Sequence, residues 1–316
     1  MNKITLSANG NENIRLDKFL SNHISDLSRT QIKQIILDGF VHVNESLVKP
    51  SAVLDGSEVI TYSLPKTNFD LDILEPERMN LDILYEDDYL VAIDKPAGLI
   101  MHPGAGQSNG TLANGLKYHF NKLSNSSGLL RPGIVHRLDK ETSGVVLIAK
   151  DNKMHSILSS QFEKREIKKK YFGITWGKWI EKEGEITDNV KRKRSDPTSY
   201  QIDGDGRDAI TLYKVIKSGF YTNEVIFYPR TGRTHQIRVH MTHLGYPIVG
   251  DRLYGRARQA TGTSATDRAI IQAFDRQALH AELLGFVHPA TGKQVRFESE
   301  LPVEISELIG VLERIR

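Results

Sequence analysis

Gly133-Ile134-Val135-His136-Arg137-Leu138-Asp139-Lys140-Glu141-Thr142-Ser143-Gly144 runs directly into Val145-Val146-Leu147-Ile148-Ala149. The second half is a short, continuous apolar run and reads as a buried strand from Gly144 to Ala149. The first half sets one carboxylate, Asp139, among Arg137, Lys140 and the hydroxyl residues Thr142 and Ser143, in the loop that enters this strand. A loop anchored by a rigid strand is a good mount for a reactive group. The flanking cations would keep Asp139 ionised, and a carboxylate nucleophile must be ionised to attack. Taken alone, His-Arg-Leu-Asp reads equally well as a surface ion pair in a turn. Its surroundings decide between the two.

Outward from this stretch, strand-like runs lie at Tyr89 to Ile93, Tyr171 to Trp176, Ile210 to Ile216 and Asn223 to Tyr228. They are separated by helical patterns at Leu112 to Phe120 and Met154 to Phe162, which makes a strand-rich mixed domain. Ser124 to Gly128 and Gln259 to Thr266 are polar loops of small residues, suited to mobility or to ordering by a ligand. Nearer the start, Ile14, Leu16, Phe19, Leu20 and Ile24 repeat with helical spacing, and Ser28 offers an N-cap for a second helix carrying Ile32, Ile35 and Ile36. Gly39 to Asn44 reads as a turn into a strand, and Val59 to Tyr62 as a later strand after the Asp55-Gly56 turn. Two short helices and a small hairpin form a separate unit. The expected division is residues 1–65 as this small α/β module, 66–79 as a proline-containing acidic linker, and 80–316 as the main domain.

Bulk composition narrows the chemistry. The chain has 316 residues, 39% of them hydrophobic and 26% charged, so it can bury a core without disulfides or metals. It contains no cysteine, which removes thiolate nucleophiles, cysteine-based zinc sites and iron–sulfur clusters. No apolar run reaches membrane-spanning length and the N-terminus lacks a secretory signal, so the expected address is the cytoplasm. Net charge is only +3, but basic residues cluster at Arg29, Lys33 and Lys49, at Lys164 to Lys170 and at Lys191 to Arg194. Such clusters suit a polyanionic partner, although each also reads as a solvated face.

The company of Asp139 is specific. Upstream stand Lys95-Pro96-Ala97-Gly98-Leu99 and His102-Pro103-Gly104; downstream stands Thr231-Gly232-Arg233-Thr234-His235-Gln236-Ile237-Arg238-Val239-His240. Pro247-Ile248-Val249-Gly250-Asp251 with Tyr254-Gly255, Leu279-His280-Ala281 and His288-Pro289 with Thr291-Gly292 close the set. Together these resemble the RluA-type pseudouridine synthases over roughly residues 80–302. Arg15-Leu16-Asp17-Lys18-Phe19-Leu20, Ser28-Arg29 and Gly39 to Asn44 resemble the S4-type RNA-binding module. The resemblance implies an α+β pseudouridine synthase fold around a mixed, mainly antiparallel sheet, preceded by the RNA-binding module. It implies an enzyme that isomerises uridine in a structured RNA, with large-subunit (23S) ribosomal RNA or its precursor as leading substrate and transfer RNA as runner-up. No cofactor or metal is expected, and the default oligomeric state is a monomer.

By that resemblance Asp139 matches the catalytic aspartate, which detaches uracil and rejoins it through carbon 5. Three routes stay open: attack on the sugar, attack on the ring, or assistance to a glycal. Arg238 matches the arginine that pairs with this aspartate, with Arg233 as an alternative. Tyr171 matches the aromatic residue that stacks on the target base and helps remove the carbon-5 proton. Arg137 matches the residue that enters the space left by the extruded nucleotide. Lys95, His102, His136, Lys140, Arg233, His235 and Gln236 in the main domain, with Arg29 and Lys33 in the module, are further candidates for RNA contact. The chain departs from the family between Trp179 and Ala209, where it reads Ile186 to Arg194 in place of a proline-isoleucine-glycine-arginine-like stretch. Peripheral basic loops choose the substrate, so the departure bears on the RNA target.

Other readings are weaker. Gly204-Asp205-Gly206-Arg207-Asp208-Ala209 fits a dinucleotide fingerprint on paper, but a strand follows it where a helix is required. His235, His240 and His243 lack the cysteine or carboxylate that would complete a metal set. Asp139 and Glu141 as paired carboxylates would suit glycoside hydrolysis. A non-catalytic RNA-binding assembly factor is the remaining alternative.

Overall fold

The structure, a computed structural model, describes residues 3–24, 27, 29–63, 74–104, 107–255 and 264–314, with only the backbone of residues 29–31. Ser28, the Arg29 side chain, residues 66–73 of the expected linker and residues 259–263 of the expected polar loop lie outside the described residues.

The N-terminal part comprises β1 (Lys3–Ser7), β2 (Ile14–Arg15), α1 (Leu16–His23), α2 (Arg29–Leu37), β3 (Val41–Val43), β4 (Ser46–Leu47), β5 (Val53–Leu54) and β6 (Val59–Ser63). Leu16, Phe19, Leu20, Ile32, Ile35, Ile36 and Ile60 form its core, the helical spacing having put the helical ones on one face of each helix. Each such side chain contributes about 1.5–3 kcal/mol on burial. Ile14, expected in the first helix, instead pairs with Leu54 in a two-stranded ribbon. The cause is Asn13, whose φ of 61° breaks the path ahead of Leu16. The expected hairpin is part of a four-stranded sheet in the order β1-β6-β3-β4, with β1 added at the edge.

The main domain continues with β7 (Asp82–Glu86), β8 (Leu90–Lys95), α3 (Leu112–His119), β9 (Ser143–Ala149), α4 (Asn152–Glu163), β10 (Lys168–Trp176), β11 (Glu183–Arg192) and β12 (Tyr200–Ile202). It ends with β13 (Arg207–Ser218), β14 (Thr222–Pro229), α5 (Gln236–His243), α6 (Ala265–Ala273), β15 (Leu279–Val287), β16 (Gln294–Glu298) and α7 (Val303–Arg314). One sheet runs β12-β11-β13-β14-β10-β15-β9-β8-β7, with β16 paired to β15. Its pairings are antiparallel except β9 with β15. No helix among the described residues is long and apolar enough to cross a membrane.

β9 is buried along its whole length. Val146 and Ile148 meet Leu112, Ala113 and Leu116 of α3 on one face, while Val145, Leu147 and Ala149 meet Met154 and Leu158 of α4 on the other. Alternation along a strand thus feeds two cores. A third core joins β10 and β14 to Ile237 and Met241 of α5 and to Ile305, Leu308 and Leu312 of α7. Residues 74–79, which the sequence reading gives to the linker, are seated on α3: Leu74 is buried beside Leu116, and Asn114 Nδ2 donates to the Glu75 carbonyl at 2.8 Å. The glycine-rich Gly204 to Gly206 segment is the turn between β12 and β13, not the start of a helix.

Candidate active site

The loop ahead of β9 is fastened from beneath. Lys95, at the end of β8, is fully buried, and its ammonium donates to the carbonyls of Pro96, Leu99 and Lys140 at 2.7, 3.0 and 3.1 Å. Burial drags its pKa down to about 7, opposed by Glu141 and Asp139. Arg276 donates to the Glu141 carbonyl at 3.1 Å, and Gln277 to the Thr142 hydroxyl at 3.1 Å. Gly144 (φ 116°) admits no side chain, because a Cβ there would lie 2.2 Å from the Ala281 carbonyl oxygen. Asp139 rides on this support at the mouth of a cleft of about 400 Å³.

The opposite wall is the segment from Pro229 into α5. Arg238, in the first turn of α5, is buried and donates through Nη1 to Asp139 Oδ2 at 3.0 Å. Its other edge grips Asp251, Nε to Oδ2 at 2.7 Å and Nη2 to Oδ1 at 2.9 Å. Burial works against the charge on Arg238, but the bonds to Asp251 and the attraction of Asp251 and Asp139 outweigh it and raise its pKa. His235 caps α5 in the left-handed region (φ 57°). Its Nε2 lies 4.0 Å from Asp139 Oδ2, and its Nδ1 bonds the Tyr254 hydroxyl at 2.8 Å. Burial lowers the His235 pKa, so the ring is a neutral neighbour at pH 7.

Tyr171 sits at a register shift in the β10–β15 pairing, where the bulge turns its ring into the cleft. Burial first, and Asp139 second, raise its pKa, which keeps the phenol protonated. The ring stands in the cleft as a flat aromatic face. His136 stacks on Phe162 with centroids 4.7 Å apart and accepts the Leu147 N–H at 2.9 Å. Burial, helped by Lys169, takes its pKa to about 3. Lys169 lines the same cleft and donates to the Thr231 carbonyl at 2.8 Å; burial, Arg165 and Arg233 lower its pKa to about 8.

The structure brings Asp139, Tyr171, Arg238, Arg137, His136, Arg233, His235 and Gln236 to one cleft. Two of the proposed RNA contacts, Lys95 and Gln236, are corrected, and Lys140 stands outside the cleft. Lys95 is buried and all its protons are spent on carbonyls. Gln236 is buried, accepting from the Thr231 hydroxyl and the Arg233 N–H while donating to Ile210 and Thr211. Lys140 is exposed beside Glu141, 4.0 Å away, and neither residue lines the cleft. A paired-carboxylate site of Asp139 with Glu141 is therefore not formed. His102 lies off the cleft with Nδ1 2.9 Å from the Pro103 carbonyl oxygen. Lys33 is exposed, 3.8 Å from the buried Asp17 carboxylate. Sequence reasoning passed over Asp251 and Tyr254, which it quoted without a role, and Lys169, which it met as one cation in a basic run.

The arrangement offers one fixed carboxylate, an aromatic wall and a rim of cations, a combination suited to covalent chemistry on a base held by its phosphates. Residues 89–243 match the family model described as RNA pseudouridylate synthase, and residues 14–60 match the S4 domain. An uncharacterized RNA pseudouridine synthase, YlyB of Bacillus subtilis, is 39% identical over 315 residues, covering 99% of each chain. A ribosomal large subunit pseudouridine synthase D of Zymomonas mobilis is 38% identical over 305 residues, 94% of this chain and 93% of that one. Among solved structures, human RNA pseudouridylate synthase domain containing 4 superposes with a TM-score of 0.56 at 26% identity, covering 73% of this chain and 92% of that one. On the near-full-length identity with these relatives, and with its aspartate, tyrosine and arginine gathered in one cleft, the chain belongs to the RNA pseudouridylate synthase family, isomerases that convert uridine to pseudouridine.

Proposed function

We propose that the protein modifies uridines of large-subunit ribosomal RNA, with Asp139 as nucleophile, Arg238 holding it and Tyr171 stacking on the extruded base. The observation that carries the assignment of Asp139 is its single bond to a buried guanidinium at the mouth of a cleft walled by Tyr171. Relatives named for the large ribosomal subunit, alike along nearly the whole chain, support the substrate. Arg137, exposed on the cleft rim, fills the space of the flipped nucleotide, which offsets the few kcal/mol that unstacking costs. Arg233 and Lys169 hold flanking phosphates. Residues 1–65 add affinity through their basic helix, and residues 80–316 carry the chemistry. We place the reaction in the cytoplasm, performed by a monomer.

The steps balance without an outside reactant. The bond from N1 to the sugar breaks as Asp139 bonds to the sugar or the ring, uracil turns within the cleft, carbon 5 bonds to the sugar as the bond to Asp139 breaks, and the carbon-5 proton passes to solvent while N1 takes one from solvent. Large-subunit ribosomal RNA and transfer RNA, each carrying tritium at uridine carbon 5, test this reading. Wild type should release tritium from the ribosomal RNA and Asp139→Asn should release none. Release by Asp139→Asn would remove the nucleophile assignment, and release from transfer RNA alone would remove the substrate.

A further inference from the structure

Arg238 has more donors than Asp139 uses. A guanidinium binds a carboxylate best through two parallel N–H bonds, yet Asp139 receives one, from Nη1 to Oδ2. Its Oδ1 takes no hydrogen bond among the described residues. The two-pronged edge, Nε with Nη2, is taken by Asp251.

Asp251 is well placed to win that competition. Its side chain is wholly buried, and Oδ1 also accepts the backbone N–H groups of Leu253 at 3.0 Å and Tyr254 at 3.1 Å. The backbone before it packs tightly on Arg276, because at Gly250 (φ 76°) a Cβ would sit 2.1 Å from the Arg276 carbonyl oxygen. The turn that Asp251 ties also presents the Tyr254 hydroxyl to His235, the neutral ring 4.0 Å from Asp139. Asp251 does not line the cleft.

We propose that Asp251 is a positioning residue: it occupies the two-pronged edge of Arg238 and so leaves Asp139 tethered by one oxygen, with the other free to attack. The proposal rests on the reading of Asp139 as nucleophile. Two carboxylates share one guanidinium, so Asp139 keeps part of its charge uncompensated. Without Asp251, the buried guanidinium turns its free edge to Asp139 and occupies both oxygens, which blunts the nucleophile without touching the RNA surface.

Steady-state kinetics on tritium-labelled RNA with Asp251→Asn, Arg238→Gln, the double variant and Asp139→Asn provide the test. Asp251→Asn should lower kcat about 100-fold, as misplacement of a reacting group does, with KM within about 3-fold of wild type. The double variant should be no slower than Arg238→Gln alone, because Asp251 acts through Arg238. A kcat for Asp251→Asn within about 3-fold of wild type, a loss confined to KM, or a double variant more than about 10-fold slower than Arg238→Gln would each overturn the proposal. Should Asp251→Asn fail to fold, the double variant, in which two amides replace the ion pair, decides by the same comparison with Arg238→Gln. An active Asp139→Asn would sink the nucleophile reading instead, and an inert Asp139→Asn beside a fully active Asp251→Asn would sink the positioning role alone.

Discussion

The two walls of the cleft are held by different chemistry. The loop that carries Asp139 is fastened by buried cations, Lys95 with three carbonyls and Arg276 with one more. The segment that leads to Arg238 is fastened chiefly by a neutral amide, Gln236, which makes four bonds to Thr231, Arg233, Ile210 and Thr211. The cations lie under the reactive anion, where they support both its loop and its charge. The amide lies under the arginine. The division is one of emphasis, since Gln277 also ties Thr142 on the first wall and Lys169 also ties Thr231 on the second.

This contrast can be broken at three points, in order of effect. Lys95→Met keeps the volume but takes the donor from three part-buried carbonyls, and unfolding by urea should show a loss of about 4 kcal/mol. Gln236→Leu strands fewer strong acceptors and no charge, and the same measurement should show about 2 kcal/mol. If Gln236→Leu proved the costlier, the division between the walls would fail. The third point is His136, beneath the Asp139 loop. Its folded pKa of about 3 lies below the ordinary 6.5, so the unfolded chain takes up the proton first as pH falls. The stability it contributes is whole above about 6.5 and is lost progressively down to about 3. Between pH 7 and about pH 4.5, wild type should lose about 2 kcal/mol more than His136→Gln, which can still accept the Leu147 N–H but does not titrate. Equal losses would show that the ring is not kept neutral by the fold.

The sequence made the Asp139 loop and its strand legible because both signals are local. Gly144 to Ala149 is an unbroken apolar run, and His136 to Thr142 a dense set of polar groups before it. Tyr171 and Arg238 were legible through resemblance, not spacing, since 99 residues separate Arg238 from Asp139. The roles of Lys95 and Gln236 were misjudged for a physical reason: a polar side chain in a motif looks the same whether it faces solvent or backbone, and only burial separates the two. Asp251 was invisible as a partner because its value lies in a contact with a guanidinium across a helix and a turn. Strands β11 and β12 and helices α6 and α7 were not anticipated. The first of these mixes exposed and buried positions irregularly, and α6 has no fully buried residue to mark a period.

The parallel seam between Ser143 and His280 joins residues 137 positions apart. A chain emerging from its own synthesis therefore has the Asp139 loop long before it has the strand and the Arg276 and Gln277 side chains that lock it. The N-terminal core, drawn entirely from residues 8–62, needs nothing from later in the chain to bury its apolar faces. Synthesis thus yields a folded RNA-binding end first and a competent cleft last, so the nascent protein can be drawn to RNA well before it can alter a base.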